Sequence, residues 1–139
     1  MKIKDIYNIS FDITDISTED RCPMHDWYND LINKTYNQLD LFDVTRMLIQ
    51  KIFLKMALTK SIDFLEENPF IGQRYEGELM ELLYKQKMSH LKPYEKSIQS
   101  ILSNALVKNK TYDWLCEEER EEFSNLIDLF QIKLQKNNK

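Results

Sequence analysis

The sequence predicts an all-α fold, a bundle of about five to seven helices built as a single domain over residues 1–139. Three observations carry this. The 139 residues include only two glycines and three prolines, so the chain is poor in loop formers. Apolar residues recur at helical spacing through most of its length. Strict alternation of apolar and polar residues occurs once, with no second run to pair with it.

That alternating run is YNISFDIT. Tyr7, Ile9, Phe11 and Ile13 alternate with Asn8, Ser10, Asp12 and Thr14, which fits either a short edge strand or an extended arm within residues 1–22. After Pro23, the spacing of Trp27, Leu31, Ile32, Tyr36 and Leu39 predicts an amphipathic helix from about 25 to 36. Asp40 or Asp43 suits the N-cap of the next helix, because a carboxylate accepts from the free amides of a first turn. Residues 43–67 contain neither glycine nor proline. In their first half, Val44, Met47, Leu48, Ile49, Ile52, Phe53 and Leu54 occupy nearly the whole helical circumference, as expected of an enclosed helix. In the second half, a polar stripe of Lys55, Thr59, Asp63 and Glu66 opposes Ala57, Leu58, Ile62, Phe64 and Leu65. The two polar faces are not continuous. The segment therefore reads either as two helices with a break near residues 52–54 or as one helix that changes environment there.

Pro69 pushes Asn68 out of helical geometry, so the helix stops at about Glu67. Gly72 is expected in the following turn and Gly77 at the start of the next helix, both supplying backbone angles denied to other residues. Leu79, Met80, Leu82 and Leu83 form that helix, with Glu81 and Lys85 as an outward i,i+4 pair. Pro93 opens a further helix, whose apolar stripe is Tyr94, Ile98, Ile101, Leu102 and Ala105. Thr111 or Asp113 suits the cap of a last helix to about Lys136. Its core face is Phe123, Leu126, Ile127, Phe130 and Leu134, with Glu117, Glu118, Glu121 and Asp128 pointing outward. Ile132 falls on that outward side and reads as an isolated exposed residue.

The net charge of −4 is unevenly spread. Counting Lys and Arg against Asp and Glu, residues 1–50 carry 5 against 9, residues 51–110 carry 10 against 7, and residues 111–139 carry 4 against 7. Acidic ends repel phosphates and suit a basic partner. No apolar run approaches the roughly 20 residues that cross a bilayer, and MKIKDIYN lacks the apolar stretch of a secretory signal. A cytosolic protein is expected. Cys22 and Cys116 are too few for a disulfide framework and read as free thiols.

Signals for chemistry are thin. Cys22-Pro-Met-His25 has ligand-like spacing, but a structural zinc site needs four ligands and only His90 and Cys116 remain. Ser89-His90 lacks a nucleophile elbow. The two glycines match neither a phosphate-binding loop nor a dinucleotide fingerprint. Arg46 and Gln50, four apart on an apolar helix, fit buried hydrogen bonds to a loop or helix end. No metal, cofactor or catalytic residue is expected.

Residues 39–84 carry a pattern of several parts in order: Asp43, Arg46, the pair Leu48-Ile49 and Gln50 on one helix, then Ala57 and Leu65 on a second, then Asn68-Pro69, then Tyr75, Gly77, Glu78 and Leu79. This pattern resembles the immunity proteins (CdiI) of bacterial contact-dependent growth inhibition (CDI), over about a third of the chain. It departs from the family at Lys51 to Lys55, where two lysines stand in place of a more apolar, glycine-containing link. The resemblance implies a binding protein without catalysis, in which Asp43, Arg46, Gln50, Asn68, Pro69, Tyr75, Gly77 and Glu78 are structural. It implies as partner the C-terminal toxin domain of a CdiA effector, whose active site the protein would cover. Many such domains are nucleases, RNases among them, and need basic surface to hold nucleic acid. The expected toxin-binding residues are then Glu117, Glu118, Glu121 and Asp128, with Asp12, Asp15, Glu19 and Asp20 of the arm. Two rival readings are a helical nucleic-acid-binding or regulatory module using Lys51, Lys55, Lys60, Lys85, Lys87 and Lys92, and, further behind, a small hydrolase.

Overall fold

A computed structural model describes residues 1–136. Among them the fold is all-α, with six helices of seven residues or more and several shorter turns of helix. None of these helices is long and apolar enough to cross a membrane. The chain groups into two compact units, Met1–Asp43 and Val44–Lys139, and the division falls inside a helix.

In the first unit, α1 (Ile3–Ile6) is a single turn and α2 (Pro23–Ile32) is the main helix. Proline stands first in α2, where its missing N-H is no loss. The Cys22 amide, just before it, donates to His25 Nδ1 at 3.1 Å. Helix α2 ends several residues before the expected limit near 36, and Tyr36–Gln38 form a separate 3-10 turn. Ile3, Trp27, Leu31, Ile32 and Leu39 are buried.

No strand forms across residues 7–14; of the two readings, the arm holds. The physical reason is local competition. Asp12 accepts from the Thr14 amide at 2.9 Å and the Thr14 hydroxyl at 2.7 Å, bending the chain into a 3-10 turn at Ile13–Asp15. Arg21 ties that turn down by donating to the carbonyls of Ile13 at 2.9 Å and Ile16 at 3.1 Å. Phe11 meets Tyr28 of α2 edge-on at 5.1 Å. The single backbone bridge in the unit, Lys2 with Thr35, lies outside the alternating run.

Helix α3 (Leu41–Gln50) begins with a reciprocal cap. The Asp43 amide donates to Asp40 at 2.8 Å, and the Asp40 amide donates to Asp43 at 3.2 Å. Both candidate cap residues thus serve the same helix start.

In the second unit, α3 does not run into α4 (Leu54–Glu67). Lys51 and Phe53 adopt left-handed backbone, with φ of 58° and 48°. Of the two readings for residues 43–67, two helices with a break is the one that forms. The conformation is the one a glycine would take, in a stretch that holds two lysines and no glycine. The first half is less enclosed than its composition predicts: Val44, Met47 and Leu48 are buried, but Ile49 is exposed.

Helix α4 ends at Glu67 as Pro69 requires. After the loop come α5 (Glu78–Tyr84), a turn α6 (Met88–Leu91), and α7 (Glu95–Asn109), which follows a 3-10 turn containing Pro93. Helix α8 (Glu117–Lys136) packs along α7. Ile98, Ile101, Leu102 and Ala105 of α7 and Phe123, Ile127, Phe130 and Leu134 of α8 are buried as their spacing predicts, while Leu126 is only half-buried. Lys133 of α8 reaches the end of α5, where its ammonium donates to the Tyr84 carbonyl and, at 2.6 Å, to that of Gln86. A cation at a helix C-terminus meets unpaired carbonyls and the negative end of the dipole. Burial lowers the Lys133 pKa from its ordinary value.

Candidate functional site

The loop between α4 and α5, residues 68–77, is held by one carboxylate. Glu78 is fully buried at the start of α5. Its Oε1 accepts from the Gln73 amide at 3.0 Å and the Arg74 amide at 2.9 Å, and its Oε2 accepts from the Arg74 guanidinium. A buried charge persists only when bonded in this way. Asn68 Oδ1 accepts from the Phe70 amide at 3.0 Å, and the Gly77 amide donates to the Phe70 carbonyl at 2.7 Å.

The two glycines act differently. Gly77, with φ of +87°, is the one in left-handed backbone; a Cβ there would also lie 3.1 Å from the Phe123 ring. Gly72 was expected to supply a special angle. It supplies space instead, since a Cβ would overlap the Tyr75 carbonyl oxygen.

Around Gly77 stands a cluster of aromatic rings. Phe70 stacks on Tyr112 at 3.8 Å and meets Phe123 at 5.1 Å and Trp114 edge-on at 5.7 Å. Trp114 donates to Asn109 Oδ1 at 2.7 Å, and the buried Asn109 donates in turn to the Arg120 carbonyl at 3.2 Å. This anchoring corrects the expected start of α8. The Tyr112 and Trp114 rings are fixed in the cluster and the Trp114 amide donates to the Tyr112 carbonyl at 3.1 Å, a tight turn ahead of the helix; neither Thr111 nor Asp113 caps it, and it begins at Glu117.

Loop and rings form two walls of an open groove of about 980 Å³. One wall is the end of the loop with α5; the other is Trp114, Leu115 and the first half of α8. Phe123, Leu126 and Leu129 give it an apolar floor and flank. Its rim is acidic, with Glu76, Glu81, Glu119 and Glu122 against only Arg74 and Lys85. Both cations are already paired, Arg74 with Glu78 and Lys85 with Glu81 at 3.1 Å. Tyr75 donates to Glu81 at 2.8 Å, and Tyr112 donates to Glu76. Burial and these carboxylates push both phenols up to about 12. Burial alone would raise the Glu81 pKa, but the bonds from Tyr75 and Lys85 outweigh it and hold it below the usual value.

The acids expected to bind a partner are all exposed. Glu117, Glu121 and Asp128 share one face of α8, and Glu118 lies to its side. In the arm, Asp12 and Asp20 are engaged locally, Asp20 by the Ser17 hydroxyl at 2.8 Å, and Asp15 and Glu19 face water. None of these eight lines the groove. Sequence reading missed Glu119 and Glu122, which sit one residue from those it chose. The available signal was Trp114-Leu115, an apolar pair in an otherwise polar stretch.

Of the structural signature, Asp43 is buried and accepts from Trp27 Nε1 at 3.3 Å and Lys34 Nζ at 2.6 Å. That bond, more than any other influence, raises the Lys34 pKa. Pro69, Gly77 and Glu78 are buried; Gln50 is exposed, not the buried partner expected of it. Cys22 and Cys116 are free and exposed. The lysines of the rival reading are partly engaged, Lys85 with Glu81 and Lys60 over the Phe64 ring at 5.6 Å. Among the described residues, no cluster of three or more His, Cys, Asp or Glu is placed to hold a metal ion.

A sequence model of the family of CDI immunity proteins matches residues 5–101. No curated protein matches the chain.

Proposed function

This chain belongs to the family of CDI immunity proteins, a membership that implies toxin neutralisation, and we propose that it binds the C-terminal toxin domain of its cognate CdiA effector and covers that domain's active site. The toxin is a nuclease, with RNase the first choice, and the complex forms in the cytosol of the producing cell. The protein acts by occupying a surface and performs no reaction.

The observation that carries the reading is the family match, and the distribution of charge supports its finer part. Glu117, Glu121 and Asp128 form an exposed negative face, and Asp15 and Glu19 add negative charge on the arm. A nuclease must present basic surface to its phosphate substrate. An acidic inhibitor competes for that surface and gains association rate from long-range attraction.

The test is protection of cells that express the toxin domain encoded immediately upstream. Wild-type protein should restore growth. Reversing Glu117, Glu118, Glu121 and Asp128 to lysine should weaken affinity by about 100-fold, mostly through slower association and with a reduced salt dependence. Reversing Asp12, Asp15, Glu19 and Asp20 should weaken it by about 10-fold. Full protection by both reversed proteins would refute these residue assignments, and no protection by wild-type protein would refute the function.

A further inference from the structure

The groove beside Gly77 has an apolar floor and an acidic rim, and we infer that it is the anchor site for the toxin domain, receiving a basic segment that projects one apolar side chain. The inference rests on the proposed immunity function and adds to it the surface and the chemistry of what enters.

Three observations point to such an occupant. Leu115 is 93% exposed and Leu129 50% exposed at the groove. They leave apolar area in water beside an apolar floor, an arrangement that burial under a partner would stabilise at about 25 cal/mol per Å². Next, the charge of the rim is one-sided once internal pairs are removed. Arg74 and Lys85 are neutralised by Glu78 and Glu81, whereas the carboxylates of Glu119 and Glu122 make no hydrogen bond or ion pair among the described residues. The groove therefore offers two uncommitted carboxylates above a greasy floor, a fit for lysine or arginine flanking an apolar side chain. It repels phosphate. A second copy of the same acidic rim would meet like charge.

The third observation concerns rigidity. The floor is built on Gly77, Phe123 and Trp114, and the wall on the Glu78 carboxylate with its two amide donors and Arg74. A site already held in shape loses little entropy when a partner docks. The wall at residues 74–85 lies within the family-matched span of 5–101, and the wall at 114–129 lies outside it. The common frame thus carries one side, and the α8 side, with Glu119 and Glu122, carries discrimination between toxins.

The probe is the purified toxin domain encoded immediately upstream, titrated against the full chain. E119K/E122K should weaken affinity at least about 100-fold and flatten its salt dependence, and L115A/L129A about 10- to 100-fold with little change in association rate. Hydrogen exchange on the wild-type complex should show protection at 74–85 and 114–129, a readout that does not depend on any variant folding. If the wild-type chain does not bind the toxin domain, the immunity function falls and the groove assignment with it. If it binds with both groove variants at wild-type affinity, or without protection of those segments, the groove assignment alone is overturned. Dimerisation of the toxin-free chain that L115A/L129A abolishes, with toxin affinity untouched, would assign the groove to a second copy and also overturn it.

Discussion

Two links flank α4, and they end a helix in opposite ways. The link before it, between α3 and α4, is three residues long and places Lys51 and Phe53 in left-handed backbone without a glycine. The loop after it spans residues 68–77, holds both glycines of the chain, and is closed by the Glu78 carboxylate on two amides and a guanidinium. The first stores modest strain in a compact link. The second spreads its demands over a proline, two glycines and a buried acid, so each residue there has a specific role. Strain of the first kind is a matter of backbone, because glycine adopts the angles of Lys51 and Phe53 without it. Bonds of the second kind are not, because only a carboxylate at this position reaches both amides and Arg74.

The largest expected effects lie in the longer loop. Gly72→Ala drives a methyl group into the Tyr75 carbonyl, and Glu78→Ala leaves two amides and a guanidinium without their acceptor. Each should lower stability by about 3 kcal/mol in urea denaturation. A midpoint within error of wild type for either variant would remove the basis of the contrast.

A smaller effect concerns pH. Tyr75 and Tyr112 tie the loop to its surroundings and have pKa values raised from 10.0 to about 12. A group raised in the folded state contributes stability that is fully present below pH 10 and is lost as pH climbs towards 12. Tyr75 and Tyr112 should therefore ionise late in a phenolate absorbance titration. Stability should begin to fall above pH 10. Ionisation of Tyr75 and Tyr112 near 10 would show that the loop is not held by these bonds.

The smallest effect belongs to the short link. Left-handed backbone costs a non-glycine residue about 1–2 kcal/mol, and glycine's extra freedom in the unfolded chain takes back about 0.4–1 kcal/mol. Lys51→Gly at this exposed position should thus raise stability by about 0.5 kcal/mol in the same denaturation series. A loss exceeding about 1 kcal/mol would mean that the lysine side chain, and not the backbone, matters there.

The same two links show what sequence could and could not disclose. The end of α4 at Glu67 was legible because Pro69 removes a donor and restricts its predecessor, a purely local constraint. The break before α4 left two readings open, since no glycine marks Lys51 or Phe53. The buried faces of α7 and α8 were legible from spacing alone. Their exposed faces were not: a helix has one core side but several outer ones, and spacing cannot tell open water from a groove. Glu119 and Glu122 line the groove while Glu117 and Glu121 face away, and all four look alike in sequence. The strand reading of residues 7–14 failed for a related reason. Alternation describes a surface that needs a partner strand, and Asp12 used the neighbouring backbone instead.

By itself the sequence determined the all-α class, the helices with continuous apolar stripes, the stop at Pro69 and the membership signalled by residues 39–84. These follow from bonds and burial within a turn or two of chain. Tertiary structure decided that Gly72 serves space and Gly77 angle, that the Tyr112 and Trp114 rings join the cluster at Phe70 ahead of an α8 starting at Glu117, and that an apolar floor meets an acidic rim between α5 and α8. Those outcomes depend on which atoms from distant segments arrive at the same place, and pairwise distance across thirty or more residues is not encoded in the period of any one helix.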